Sequence, residues 1–314
     1  MVEIYEARRR IAPYVRRTPL VESPWLSEAS GGRILLKLES VQLSNSFKAR
    51  GAFNAILARL ERGPLTQVVT ASAGNHGRGL AAAAEQFKIP LIVFTPHDAP
   101  RAKLDAIRRH GADLRPLGRD YDDAERMAKA FAKETGTEFI SPYSDADVIA
   151  GAGTIALELF EDAPDIDTFV VPIGGGGLIS GVGTVAKALD ASRTVVGVEL
   201  EVAHAFHASL AAGALVEVDA GPSLADGLGG NPDPETITFA YIQRVVDRIA
   251  IVSEDDLRRS VVGLVEREHV IAEGAGAAAP AAILMKRVDV TGKRVAAIVS
   301  GANIDRARLA SLLQ

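Results

Sequence analysis

The 314-residue sequence contains no cysteine. That excludes a disulfide framework, a thiolate nucleophile and any site built on cysteine ligands to zinc or iron–sulfur clusters, and it suits a reducing cytoplasm. Basic residues are in the minority, 35 lysines and arginines against 40 aspartates and glutamates, so there is no cationic footprint for nucleic acid. Membrane-length apolar runs are missing as well. One uncharged stretch, 168–186, is long enough to span a bilayer. However, Pro172 and the glycines Gly174, Gly175, Gly176, Gly177, Gly181 and Gly183 break it, and a strand, a glycine loop and a helix explain it better. The start, Met1-Val2-Glu3-Ile4-Tyr5-Glu6 and then Arg8-Arg9-Arg10, is acidic at its front and leads into no apolar run, so no signal peptide is expected.

With 47% hydrophobic and 24% charged residues, the chain has enough apolar mass for one large core or two α/β domains. Short apolar runs at 34–38, 67–71, 91–94, 114–117, 168–173, 194–199 and 295–299 read as strands buried on both faces. Helical patterns lie between them at 49–60, 77–87, 100–109, 120–134, 149–160, 178–189 and Glu254–Glu268. The alternation predicts right-handed crossovers and mainly parallel sheets, an α/β fold. The acids Asp120, Asp122, Asp123 and Glu125 fit the positive end of a helix. An alanine-rich segment, 274–282, is the only compositionally biased one, and 226–234 reads as a loop.

Four segments follow strands or open helices, where open α/β sheets place ligands. Ser44-Asn45-Ser46-Phe47-Lys48-Ala49-Arg50-Gly51-Ala52 puts Lys48 in the first turn of a helix. That electropositive place suits an amine that must lose its proton, although a lone lysine is more often simply solvated. Ala71-Ser72-Ala73-Gly74-Asn75-His76-Gly77 joins a strand to a helix with small residues. Its N–H groups are able to face a carboxylate, or Ser72 and Asn75 merely cap the helix, and His76 is as readily a structural histidine as an acid–base group. Four consecutive glycines, Gly174 to Gly177, favour a phosphate at a helix N-terminus over a plain turn. They match neither the phosphate-loop pattern nor Gly-x-Gly-x-x-Gly, and no Gly-x-Ser-x-Gly elbow occurs in the chain. Ser300-Gly301-Ala302-Asn303 follows the last strand, and Ser300 either bonds a heterocycle or caps a helix.

In this order the four segments resemble the pyridoxal-phosphate (PLP) enzymes of fold type II, the tryptophan synthase β-like family, and among them the threonine/serine dehydratases and serine racemases. Arg17-Thr18-Pro19-Leu20, Leu36-Lys37-Leu38-Glu39, Gly153-Thr154-Ile155-Ala156-Leu157-Glu158 and Ala225-Asp226-Gly227 extend the likeness over nearly the whole chain. The resemblance implies two doubly wound domains with PLP in the cleft between them: a discontinuous large domain, 1–66 and 145–314, and a small domain, 67–144. It implies that Lys48 carries the cofactor and, once freed, takes the Cα proton, with Phe47 beside the ring and Asn75 on the 3′ hydroxyl. Gly174, Gly175, Gly176, Gly177 and Leu178 would cradle the phosphate, and Ser300 would bond the pyridine nitrogen. Ser72, Ala73, Gly74, Asn75 and His76 would take the substrate carboxylate. The implied reaction is β-elimination from L-threonine or L-serine to a 2-oxo acid and ammonia, by a cytoplasmic homodimer.

Departures from the family pattern bear on this. Racemases have a serine where this chain has Ala73, which argues against racemisation. Some relatives bind a cation near Glu199 with a carboxylate at the place of Ala205, so no metal is expected. Ser44-Asn45 replaces Thr-Gly, and Arg78 stands where glutamine is common. The sequence ends soon after Ser300, so the short degradative type without a regulatory domain is expected. A serine racemase and a β-hydroxyaspartate dehydratase are alternatives within the family. A nucleotide-dependent oxidoreductase and a non-catalytic phosphate- or amino-acid-binding module are the alternatives outside it.

Overall fold

The computed structural model describes all 314 residues. Ten strands form: β1 (Leu20–Glu22), β2 (Arg33–Leu38), β3 (Val68–Ala71), β4 (Leu91–Pro96), β5 (Asp113–Gly118), β6 (Glu138–Phe139), β7 (Thr168–Pro172), β8 (Thr194–Leu200), β9 (Arg248–Val252) and β10 (Arg294–Val299). Around them lie helices α1 (Val2–Ile11), α2 (Pro24–Ser30), α3 (Lys48–Arg62), α4 (Asn75–Phe87), α5 (Arg101–Arg108), α6 (Tyr121–Thr135) and α7 (Ala146–Asp162). The remainder are α8 (Gly177–Leu189), α9 (Ala205–Ala212), α10 (Thr238–Val245), α11 (Glu254–Glu268), α12 (Gly274–Leu284) and α13 (Arg306–Leu312). No helix is long and apolar enough to cross a membrane.

All seven expected strands are present, and all seven expected helices. The additions have physical reasons. β1 and β6 are too short to show a period, and β9 is a half-exposed edge strand that begins on Arg248. α12 is the alanine-rich segment: it is buried all round from Gly274 to Ile283, so it has no polar face to give it a helical period. The acid cluster does open a helix, with the Asp120 side chain accepting the Asp123 N–H at 2.8 Å.

The strands form two sheets, one of six strands in the order β1-β2-β10-β7-β8-β9 and one of four in the order β5-β4-β3-β6. Every pair is parallel except β1 with β2. Both sheets are covered on both faces except at the edge strand β5, where the expectation of a strand buried on both faces fails: Leu117 is 57% exposed. On β10, Val295, Ala297 and Val299 pack with α11 and α12, whereas Ala296 and Ile298 pack with residues of α7 and α8. In the four-stranded sheet, Val68 and Val93 face α3 and α4, while Val69, Ile92 and Phe94 face α6. Strand order reverses at β7/β10 in one sheet and at β3/β6 in the other, the places where such sheets open a crevice at their carboxyl ends.

A buried ion network ties the start of α3 to the large sheet. The Arg50 guanidinium grips Glu39 through Nε (2.8 Å) and Nη2 (2.9 Å), and Glu158 of α7 through Nη1 (2.6 Å) and Nη2 (3.0 Å). Lys37 of β2 donates to the same Glu158 at 2.6 Å and to the Thr18 carbonyl at 2.7 Å. Arg50 is 1% exposed and Lys37 0%, so the two cations and two carboxylates compensate one another in the interior. Alongside, α3 and α7 nearly touch: a Cβ on Gly151 would stand 2.5 Å from the Arg50 carbonyl oxygen.

Removing one member strands the rest in the interior. Arg50→Ala is expected to cost about 3–5 kcal/mol of unfolding free energy, read from urea titrations followed by circular dichroism. An unchanged midpoint would contradict the network's role.

Candidate active site

The carboxyl ends of the two sheets face each other across a cleft of about 650 Å³, and all four segments singled out from the sequence line it. Its walls carry Lys48, the Ser72–His76 loop, the four glycines, Ser300 and the loop around Gly227, together with Tyr143 and Glu273.

Lys48 is the first residue of α3. The chain reaches it through a left-handed turn, with Ser44 at φ 59° and Asn45 at φ 56°, where a glycine would be the easier residue. The Asn45 carbonyl accepts the Ala302 N–H at 2.9 Å and the Ser44 carbonyl accepts Asn303 Nδ2 at 2.8 Å, which holds the turn. The Phe47 N–H donates to the Ser300 carbonyl at 3.0 Å, so the lysine loop is sewn to the end of β10. Lys48 Nζ donates to the Pro142 carbonyl at 2.7 Å and lies 5.1 Å from the centre of the Phe47 ring. No carboxylate pairs with it, and burial pushes its ammonium down to about 8. A neutral, nucleophilic amine is therefore available near neutral pH.

The glycine run leaves β7 and opens α8. The backbone N–H groups of Gly174, Gly175, Gly176, Gly177 and Leu178 have no partner within the chain. They sit at the positive end of a 13-residue helix. Side chains have no room on the far side of the loop: a Cβ on Gly175 would lie 2.2 Å from the Tyr143 ring and one on Gly174 2.7 Å from the Gly227 carbonyl oxygen. Gly176 also takes φ +86°, and Thr238 Oγ1 donates to the Gly175 carbonyl at 2.8 Å. Five unpartnered donors on a backbone packed this tightly fit a phosphate group.

The loop after β3 is divided in its duties. Ser72 Oγ accepts the N–H groups of Gly74 (3.2 Å) and Gly77 (3.0 Å), the capping role, while the N–H groups of Ala73, Asn75 and His76 are unpartnered and available to a carboxylate. His76 is 2% exposed, its Nε2 lies 3.3 Å from the Ile140 carbonyl, and burial together with the Lys48 charge pushes it down to about 3. That ring is neutral at working pH and serves as a structural donor. Asn75 donates from Nδ2 to Glu273 Oε1 (2.5 Å) and accepts at Oδ1 from Asn303 Nδ2 (2.6 Å). Ser300 Oγ donates to the Ala275 carbonyl at 3.2 Å, so its hydroxyl must rotate to donate elsewhere.

Two residues were missed from sequence. Glu273 is buried at the rim of the cleft, and burial pushes its carboxyl up to about 7 against the Asn75 hydrogen bond. Its signal was present: it is the one charged residue before a run of ten buried small and apolar residues. Tyr143 carried none; only the folded chain brings it under the glycines, where its hydroxyl accepts the Asp233 N–H at 3.0 Å. Glu199 lies elsewhere, and its two oxygens accept the N–H groups of Phe206 (3.0 Å) and His207 (2.7 Å) in the first turn of α9.

A family model described as pyridoxal-phosphate dependent enzyme matches residues 11–301. An L-threonine ammonia-lyase of Thermotoga maritima is 43% identical over 303 residues, covering 96% of this chain and 75% of that protein. The catabolic L-threonine dehydratase TdcB of Staphylococcus aureus is 37% identical over 316 residues, covering 99% and 91%. The structure of maize serine racemase superposes with a TM-score of 0.93 at 34% identity, covering 99% of this chain and 95% of that one.

The lowered Lys48 pKa has a kinetic sign. The neutral-amine fraction grows as pH rises through about 8 and then saturates. Mixing cofactor-free protein with pyridoxal phosphate in a stopped-flow spectrometer should give a visible band whose rate of appearance levels off just above pH 8. A rate still climbing tenfold per pH unit towards 10 would mean an ordinary, hydrated lysine.

Proposed function

Since the chain belongs to the family of pyridoxal-phosphate-dependent enzymes, we propose that it is an ammonia-lyase that converts L-threonine, and more slowly L-serine, to a 2-oxo acid and ammonia by β-elimination. The observation that carries this reading is that one cleft holds both a desolvated lysine amine and five unpartnered N–H groups at a helix start. The names of the relatives at 43% and 37% identity support the substrate.

In this reading Lys48 holds the cofactor and Phe47 flanks its ring. The N–H groups of Gly174, Gly175, Gly176, Gly177 and Leu178 hold its phosphate, Asn75 its 3′ oxygen and Ser300 its pyridine nitrogen. Bound there, the cofactor supplies the electron sink for a carbanion at Cα. The protein does the rest. The free N–H groups of Ala73, Asn75 and His76 orient the substrate carboxylate, with the Ser72 proton as a further donor. Once the substrate amine has freed it, Lys48 Nζ would take the Cα proton, and the desolvation that lowers its pKa favours the neutral form a general base needs.

Three further statements belong to the same reading. Residues 67–144 form a small domain that closes on 1–66 and 145–314 to keep water from the reacting carbon; all four strands of the smaller sheet fall within it. The protein works in the cytoplasm, as a homodimer. Elimination is preferred to racemisation because Ala73, on the cleft wall, offers a methyl group where a racemase has a second proton carrier.

Coupled assays for 2-oxo acids with L-threonine, L-serine and 3-hydroxyaspartate test the reading, with chiral chromatography of the residual amino acid. 2-Oxobutanoate from threonine is expected, with kcat/KM for serine lower by about 10–200-fold, the range one methyl group supports. Lys48→Ala should lose at least roughly 10²–10⁴-fold. Racemised serine without any 2-oxo acid would move the protein to the racemases, and no turnover of any of the three would overturn the reading.

A further inference from the structure

Asn75 presents an amide whose two ends have nearly the same shape and opposite chemistry: the nitrogen donates and the oxygen accepts. Which end faces the cleft decides whether the residue attracts or repels an anionic oxygen there. The surrounding hydrogen bonds settle this, starting from groups that cannot change role. The Arg78 guanidinium only donates, and the Ser44 backbone carbonyl only accepts. Asn303 sits between them, so its Oδ1 must take Arg78 Nη1 (2.6 Å) and its Nδ2 must give to the Ser44 oxygen (2.8 Å). The second Nδ2 proton of Asn303 goes to Asn75 Oδ1 (2.6 Å). That turns the Asn75 nitrogen the other way, where the Glu273 carboxylate accepts one of its protons (2.5 Å). One N–H proton of Asn75 is left over, on a residue that lines the cleft.

We infer that Arg78 and Asn303 are positioning residues that, through this relay, fix the Asn75 amide with its nitrogen as the donor to the 3′ oxygen of the cofactor. The inference rests on the reading that Asn75 meets that oxygen. Arg78 takes its place in it as a group with no acceptor. A glutamine at the same position offers both a donor and an acceptor and leaves the direction of the relay open. Close packing reinforces the arrangement, because a Cβ on Gly301 would come within 3.3 Å of Asn75 Nδ2 and 2.2 Å of Glu273 Oε1. The relay draws on four segments at once: α4, the turn before Lys48, the loop after β10 and the start of α12.

Dissociation constants of pyridoxal phosphate and of its 3-deoxy analogue, measured by absorbance titration of the cofactor-free protein, test this. The analogue keeps the aldehyde and the phosphate and lacks only the oxygen in question. Asn303→Asp replaces a donor with an acceptor and should turn Asn75 around; Arg78→Met removes one of the two anchors of Asn303 and leaves the Ser44 carbonyl as the other; Arg78→Lys keeps a donor-only group. Asn303→Asp should weaken pyridoxal phosphate by about tenfold, the loss of one charge-assisted hydrogen bond, Arg78→Met should weaken it by a smaller factor, and both should leave the analogue unchanged. Arg78→Lys should stay close to the parent. Equal weakening of both ligands would mean a merely structural role and overturn the inference. Asn75→Ala separates the two layers. A selective loss in Asn75→Ala without one in Arg78→Met or Asn303→Asp overturns the relay. No selective loss in Asn75→Ala overturns the placement of the 3′ oxygen on which it rests. If Asn303→Asp does not fold, Arg78→Met and Arg78→Lys decide alone.

Discussion

Arg50 holds two carboxylates in the dry interior, and the geometry of the cleft depends on that grip. Its guanidinium is shared between Glu39, just past β2, and Glu158 on α7, and Lys37 completes the charge balance. A guanidinium with five fixed donors tolerates little displacement of its partners. Two residues before it in the same helix stands Lys48, so the network that satisfies Arg50 also fixes where α3 begins and where the amine emerges. The strap from the Phe47 N–H to the Ser300 carbonyl then joins this point to β10. Stability and site share one set of contacts, and damage to the network reaches the amine as well as the fold.

The chemistry follows from withholding partners. Lys48 is half-buried beside a carbonyl and an aromatic ring and lacks a carboxylate, and desolvation makes it give up its proton more easily. The glycine loop keeps five N–H groups unpartnered because its other side is filled by Tyr143 and the Gly227 carbonyl. Neither feature helps the protein fold: a desolvated amine and unsatisfied donors both cost free energy. Their meeting in one cleft is what an anionic aldehyde cofactor would offset, the amine reacting with its carbonyl and the N–H groups receiving its phosphate.

Much of this was legible in the sequence. The strands of the sheet interiors announced themselves as continuous apolar runs, and Lys48, the glycines, Ser72 and Ser300 all line the cleft as their places after strands implied. What was hidden has a common cause: its signal is three-dimensional. α12 has no polar stripe because it is buried on every side. Tyr143 matters only because β6 ends under the glycine loop. The ring of His76 resembled a candidate acid or base, but it is enclosed and spends its nitrogen on Ile140. Ser44-Asn45 departed from the family pattern, and the left-handed backbone there is held by carbonyl contacts to Ala302 and Asn303.

Reduction of the loaded protein with borohydride, followed by proteolysis and mass spectrometry, tests the central claim most directly. A single cofactor adduct on the peptide carrying Lys48 is predicted. An adduct on Lys103, the other lysine on the cleft wall, or no adduct after saturation with pyridoxal phosphate, would contradict it.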